Sequence, residues 1–238
     1  MFYVRAFLFL AWLVLGSILG LLLVPFRWKD PTLNGTFGKI ISWGCAHAVG
    51  MKSECEGVEK ILANQPCVYV ANHQSGLDIA TLGRFFPERT VIIGKKEILY
   101  IPVFGWLFAA GGNVLLDRQN HRKAVGGLSK AVAAVKEKGF SVWVFPEGTR
   151  NLTGRGMLPF KKGAFHLAVQ AGVPILPLVS EPLATFYDSK NQRFHGGTVR
   201  IKVLDPISTK GLTTDDVPQL TERVHALMLA ALKTLERP

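Results

Sequence analysis

Short apolar runs alternate along this chain with longer stretches in which apolar residues recur every three or four positions. Cys67-Val68-Tyr69-Val70-Ala71 and Val142-Trp143-Val144-Phe145 are uninterrupted, rich in β-branched and aromatic residues, and bounded by turn formers. That is the pattern of strands buried on both faces. Residues 90–93, 113–116, 175–179 and 199–204 read the same way. Ala124, Val125, Leu128, Val132 and Val135 stripe a helix over His121–Lys138 that stops at Gly139, and Val217, Leu220, Val224, Leu227, Ala231 and Leu235 stripe a final one. A further helix is expected just after Gly76, through Leu77, Ile79, Ala80 and Leu82. Strands alternating with helices predict an α/β fold, a mostly parallel central sheet covered by helices. Residues 181–197 are polar and turn-rich and predict a loop at the mouth of a site.

The N-terminus departs from this alternation. Over residues 6–26 the only polar side chain is Ser17, and Trp12, Phe26 and Trp28 mark interface positions, so the segment is long enough to cross a bilayer. It is too long for the core of a cleaved leader, and Pro25-Phe26-Arg27-Trp28-Lys29 stands where small residues belong. Residues 37–51 are mildly apolar and suit an interfacial helix returning beside the first. Arg27, Lys29, Lys39 and Lys52 follow the apolar run against Arg5 before it, an asymmetry that keeps the body cytoplasmic. The plainer alternative is a core helix of a soluble protein. The expected organisation is a membrane-anchoring helical segment over residues 1–55 and an α/β domain over residues 56–238.

Composition narrows the partners. The chain has 238 residues, 48% of them hydrophobic, and a formal net charge of +11. A basic balance favours nucleic acid, anionic headgroups or phosphorylated substrates. The apolar N-terminus selects the bilayer and argues against nucleic acid. Three cysteines without a Cys-x-x-Cys indicate neither a disulfide framework nor structural zinc.

Two polar blocks follow strand ends. In Asn72-His73-Gln74-Ser75-Gly76-Leu77-Asp78 a turn at Ser75-Gly76 can fold the Asp78 carboxylate onto His73, fixing the tautomer and leaving the other ring nitrogen to accept a proton from an alcohol. The alternative is a strand-end His beside a helix whose first-turn amides Asp78 satisfies. As metal ligands the pair lacks a third partner at useful spacing, so no metal is expected. In Pro146-Glu147-Gly148-Thr149-Arg150, Gly148 permits close approach of the backbone to a ligand, Thr149 offers a hydroxyl, and Arg150 offers a fork matched to phosphate. The alternative is an ordinary turn with a solvated Arg. Both blocks follow strands, and ligands of open α/β sheets bind at the carboxyl edge.

Asn72-His73 to Asp78 resembles the first motif of the glycerolipid acyltransferases, and Phe145-Pro146-Glu147-Gly148-Thr149-Arg150 is similar to their third. Gly94-Lys95-Lys96-Glu97-Ile98, with Ile98 where the family usually has Leu, then Pro102 and Gly105-Trp106, resemble the second block. Leu115-Leu116-Asp117-Arg118 resembles a short segment ending in a basic residue, and Val173-Pro174-Ile175-Leu176-Pro177-Leu178-Val179 the fourth block. The likeness covers residues 67–179 and is greatest to the bacterial branch that acylates 1-acyl-glycerol 3-phosphate.

The resemblance implies transfer of an acyl chain from acyl-CoA or an acyl-carrier protein to the sn-2 hydroxyl of lysophosphatidic acid, giving phosphatidic acid. The bilayer is then the partner, the thioester a co-substrate, no further cofactor is needed, and the site lies on the cytoplasmic face of the inner membrane. His73 is the expected base, oriented by Asp78, without an acyl-enzyme, since Ser75 is the only competing nucleophile and sits in a turn. Lys95, Arg118 and Arg150 are expected to bind phosphate, with Gly148 and Thr149 shaping the loop, Glu147 orienting a basic partner or the glycerol, and Lys161 a further candidate. Other lysophospholipids or glycerol 3-phosphate as acceptor, a membrane-bound thioester hydrolase, and a non-catalytic lipid-binding protein remain open.

Overall fold

The computed structural model describes residues 1–26, 28–117, 121–188 and 190–235, with no side chains described over residues 121–125. Arg27 and Arg118 therefore lie outside the described residues, as do the side chains of Ala124 and Val125. Helices α1 (Phe2–Leu23) and α2 (Thr32–Val49) precede β1 (Met51–Glu56), α3 (Glu59–Ala63), β2 (Val68–Ala71) and α4 (Asp78–Thr81). Then come β3 (Thr90–Lys95), α5 (Phe104–Ala110), β4 (Val114–Leu116), α6 (His121–Lys138) and β5 (Ser141–Val144). The chain closes with α7 (Gly163–Ala171), β6 (Ile175–Ser180), the short pair β7 (Tyr187–Asp188) and β8 (Arg193–Phe194), β9 (Gly197–Val203) and α8 (Val217–Leu235).

Among the described residues seven strands form one sheet in the order β1-β9-β6-β2-β5-β3-β4. Strands β6, β2, β5, β3 and β4 run parallel, and only the β6–β9 pairing is antiparallel. The expected mostly parallel α/β sheet is thus observed. Its central strands read as unbroken apolar runs because both faces are covered: Val68 and Val70 pack with Phe165, Val224 and Met228 on one side, while Tyr69 and Ala71 pack with Trp143, Leu82 and Phe86 on the other. Val135 of the α6 stripe is buried, and Leu128 and Val132 pack against the same core.

Three features escape the sequence pattern. Strand β1 alternates buried Met51 and Ser53 with exposed Lys52 and Glu54, and it pairs with β9 across the boundary expected at 55/56. The sheet therefore begins upstream of that boundary, its edge strand disguised by polar residues. Helices α5 and α7 are seven and nine residues long, too short to display a clear stripe. Within the expected 181–197 loop, β7 and β8 form a two-residue hairpin against which Phe2 stacks, 5.2 Å from the Phe194 ring.

Helix α1 lies on α2 through small residues. Gly16, Ser17 and Gly20 are its buried positions, and a Cβ at Gly44 of α2 would fall 2.0 Å from the Trp12 ring, whose Nε1 donates to the Ile40 carbonyl at 3.1 Å. The opposite side exposes Phe7, Leu10, Ile18 and Leu22, continued by Trp43 and Trp106. This is not the burial of a soluble core helix, and residues Phe2–Phe26 are long and apolar enough to cross a membrane. Gly44→Val should displace Trp12 and destabilise the helix pair by about 1–3 kcal/mol, read as a lowered thermal midpoint in detergent.

Candidate active site

Parallel strands deliver their carboxyl ends to one edge of the sheet, and both polar blocks lie there. Directly beyond β2, Asn72 joins that strand to β6: its Nδ2 donates to the Ser180 carbonyl at 2.9 Å and its Oδ1 accepts the Ser180 N–H at 2.8 Å. His73 follows. Its Nδ1 lies 2.6 Å from Asp78 Oδ2, and the same oxygen accepts the N–H groups of Gln74 at 2.8 Å and Ser75 at 3.1 Å. The Ser75 Oγ accepts the Leu77 N–H at 3.0 Å, closing the turn. The ring-folding geometry expected from sequence is therefore present, and Asp78 also serves the neighbouring amides of the alternative reading. Both roles fall to one carboxylate oxygen.

The pair is well oriented. Asp78 is buried, the His73 side chain is 23% exposed, and its ring stacks on Phe145 with centroids 4.2 Å apart. An Nδ1 engaged by a carboxylate carries the proton, so in the neutral ring Nε2 holds the free lone pair. Among the described residues nothing hydrogen-bonds to Nε2. Ser75, the competing nucleophile, has its hydroxyl committed to the turn.

Glu147 links the second block to the first, though not in the expected role. Its Oε1 accepts the His73 N–H at 2.7 Å and its Oε2 the Leu158 N–H at 2.8 Å. The carboxylate is buried, facing backbone amides rather than a phosphate or the glycerol. It is a positioning residue for His73. Asn151 completes the stitch, its N–H donating to the His73 carbonyl at 2.7 Å. Burial pushes the Glu147 carboxyl above the ordinary carboxylate range, against the opposing pull of these two amides.

Between Glu147 and Asn151, Gly148 takes a left-handed conformation with φ +72°, and a Cβ there would sit 3.3 Å from Lys161 Cγ. Thr149 and Arg150 are exposed, and among the described residues Arg150 forms no ion pair. Strand β3 neighbours β5, with Ile92 opposite Trp143, so exposed Lys95 ends its strand at the level where β5 has become this loop. Lys96 turns away to Asp117 at 2.9 Å. Lys95, Lys161 and Arg150 therefore share the edge that holds His73.

Gln74 was missed as a site residue. Its Nε2 donates to the carbonyls of Ser180 and Glu181 at 3.1 and 2.8 Å, and its Oε1 accepts the Leu183 N–H at 2.8 Å, so the amide orientation is fixed. Its place beside His73 was the only available signal, because its partners lie more than a hundred residues away.

Glu147→Gln places an NH2 against one of two donors and should lower activity by about tenfold or more while costing about 1–3 kcal/mol for the unsatisfied amide. A carboxyl raised by burial stabilises the fold fully below its unfolded pKa and loses that contribution as pH rises through the raised value. Wild type compared with Glu147→Gln should thus lose relative stability as pH climbs out of the ordinary carboxylate range, a trend that thermal melts against pH will check.

Comparison with known proteins follows the same lines. Residues 52–181 match the family model described as Acyltransferase. The 1-acyl-sn-glycerol-3-phosphate acyltransferase of Haemophilus influenzae is 37% identical over 236 residues, covering 98% of this chain and 95% of that protein. The Escherichia coli protein of the same name is 36% identical, covering 94% and 90%. The yeast one, from Saccharomyces cerevisiae, is 43% identical over 178 residues, where this chain spans only 59% of that protein's length. The crystal structure of the 1-acyl-sn-glycerophosphate acyltransferase from Thermotoga maritima superposes with a TM-score of 0.76 at 25% identity, covering 100% of this chain and 95% of that one. With the motif residues gathered on one sheet edge and the family model spanning more than half its length, the chain belongs to the glycerolipid acyltransferase family.

Proposed function

We propose that this protein transfers an acyl chain from an acyl thioester, acyl-CoA or acyl-carrier protein, to the sn-2 hydroxyl of lysophosphatidic acid, producing phosphatidic acid. One observation carries the reading: a His73 ring held at Nδ1 by a buried carboxylate, with Nε2 unengaged, in a loop stitched directly to the loop that presents Arg150. The named relatives support the acceptor.

In this route Nε2 of His73 takes the proton of the sn-2 hydroxyl as its oxygen attacks the thioester carbonyl. Asp78 stabilises the imidazolium so formed. The C–S bond of the tetrahedral intermediate then breaks, and the departing thiolate recovers the proton from His73. No acyl-enzyme forms and no cofactor beyond the thioester is used. Gly76, exposed at the apex of the turn while the amides on either side are engaged by Asp78 and Ser75, is the candidate N–H for the oxyanion. Arg150 and Lys95 hold the acceptor phosphate, the planar guanidinium by a fork and the ammonium as a point charge.

The apolar outer face of α1 and α2 seats the molecule in the membrane. Lysophosphatidic acid then reaches the site without a whole acyl chain passing through water. The basic body faces the cytoplasm, beneath the inner membrane, where either anionic donor arrives.

His73→Ala should reduce acyl transfer by about 10²–10⁴-fold with the fold retained; near-normal turnover would remove the mechanism. Asp78→Asn should lower kcat strongly, because a neutral amide no longer holds the productive tautomer. Arg150→Ala should raise the KM for lysophosphatidic acid with little change for the acyl donor, as initial-rate kinetics in detergent micelles will show. Thioester cleavage as fast without acceptor as with it would instead identify a hydrolase, and a panel of lysophospholipids and glycerol 3-phosphate separates the neighbouring transferases.

A further inference from the structure

A cavity of about 660 Å³ lies far from the catalytic turn. It is bordered by Val91, the second residue of β3, and by Phe140, just ahead of β5, so it opens at the amino ends of these parallel strands. His73 and Glu147 follow the carboxyl ends. Lys29, Lys130 and Lys138 line the cavity, and among the described residues no carboxylate does. Val114 and Leu115 add an apolar wall. A lining that is cationic in part and apolar in part suits an amphiphile with an anionic head.

Gly126 makes the argument sharper. It lies inside α6, where glycine costs about 1 kcal/mol relative to alanine, and it lines the cavity. A Cβ on the adjacent Gly127 would fall 2.4 Å from Leu116 Cδ2, so packing requires that glycine. A Cβ on Gly126 would meet nothing within 4 Å. No neighbour in the protein demands the missing side chain, and this exposed glycine lines the cavity.

The mouth also has a defined level. Lys29 follows Phe26 and Trp28, 84% and 65% exposed, at the end of the apolar helix, and its Nζ is 6.0 Å from the Trp28 ring centroid. Aromatic residues in that setting lie among lipid headgroups. We propose that this cavity is a second lipid site, which takes the phosphate headgroup of an anionic phospholipid from the bilayer on Lys29, Lys130 and Lys138 while the start of its apolar part lies against Val114, Leu115 and Phe140. The assignment rests on the membrane seating proposed above and is independent of the acyl-transfer chemistry.

The test uses the full chain, diluted from detergent onto vesicles of phosphatidylcholine with or without phosphatidylglycerol and read by co-sedimentation. Wild type should prefer the anionic vesicles. Lys130→Glu with Lys138→Glu should cut that preference by about tenfold or more, as roughly 1 kcal/mol per lysine implies. The same charge change at exposed Lys210 and Lys233 should cost clearly less. Gly126→Leu, which intrudes on the cavity and alters no charge, should weaken the preference too. Both cavity variants should keep wild-type acyl transfer in detergent micelles. A Gly126→Leu protein that retains the preference, or a remote lysine pair that matches the cavity pair, would overturn the site. Inorganic phosphate competing at the same phosphate concentration would overturn the lipid assignment in favour of a soluble anion. Wild type that sediments with neither vesicle would overturn the membrane seating, and this site with it.

Discussion

The Glu147 carboxylate accepts the His73 amide with one oxygen and the Leu158 amide with the other, and so ties the loop after β2 to the loop after β5. Burying a carboxylate is costly unless donors meet its oxygens, and here the two donor amides come from different segments of the chain. Because His73 is held by its backbone, its ring direction is left to Asp78 and to the Phe145 face. Arg150 belongs to the same stitched loop, which Asn151 fastens to the His73 carbonyl. Separating the carboxylate from either amide would free His73 and Arg150 to move independently, and proximity effects are lost with displacements of about 1 Å.

Around that joint the sheet divides the molecule into two packed faces. One face is closed by α6, α7 and α8, whose apolar residues fill the larger core. The other carries α2 and α4, and α1 beyond them, with α1 touching the body through small residues and turning its large apolar side chains outward. Close helix approach through glycine and serine is the packing found where lipid supplies no hydrophobic drive between helices. The same chain thus combines a basic charge balance with an outward apolar face on α1, while the loops after β2 and β5 meet at the carboxyl edge of the sheet.

Part of the site was legible because it is local. His73 and Asp78 are five residues apart, and a Ser-Gly turn between them leaves few ways for a carboxylate to avoid the ring. The Pro146–Arg150 block likewise offered a candidate phosphate site through residue types, and the structure leaves Thr149 and Arg150 exposed at the sheet edge. Glu147 misled for a physical reason: an acidic residue beside Gly-Thr-Arg reads as exposed and functional, whereas its carboxylate is buried on backbone amides whose positions no local pattern encodes. Asn72 and Gln74 were silent for the same reason, their partners being the backbone of residues 180–183 at the end of β6. Strand β1 was hidden because an edge strand with one wet face needs only half of its residues apolar.

The sequence by itself determined the alternating α/β pattern, the apolar N-terminal helix, the basic charge balance and which side chains are candidates for the chemistry, since these depend on periodicity, composition and functional groups a few residues apart. Only the tertiary structure decided the strand order, the union of the two motif loops through Glu147, the outward face of α1 and the cavity beneath Gly126. Those depend on hydrogen bonds and packing between segments distant in the chain, and such pairings are selected by the whole buried core at once rather than by any residue's neighbours.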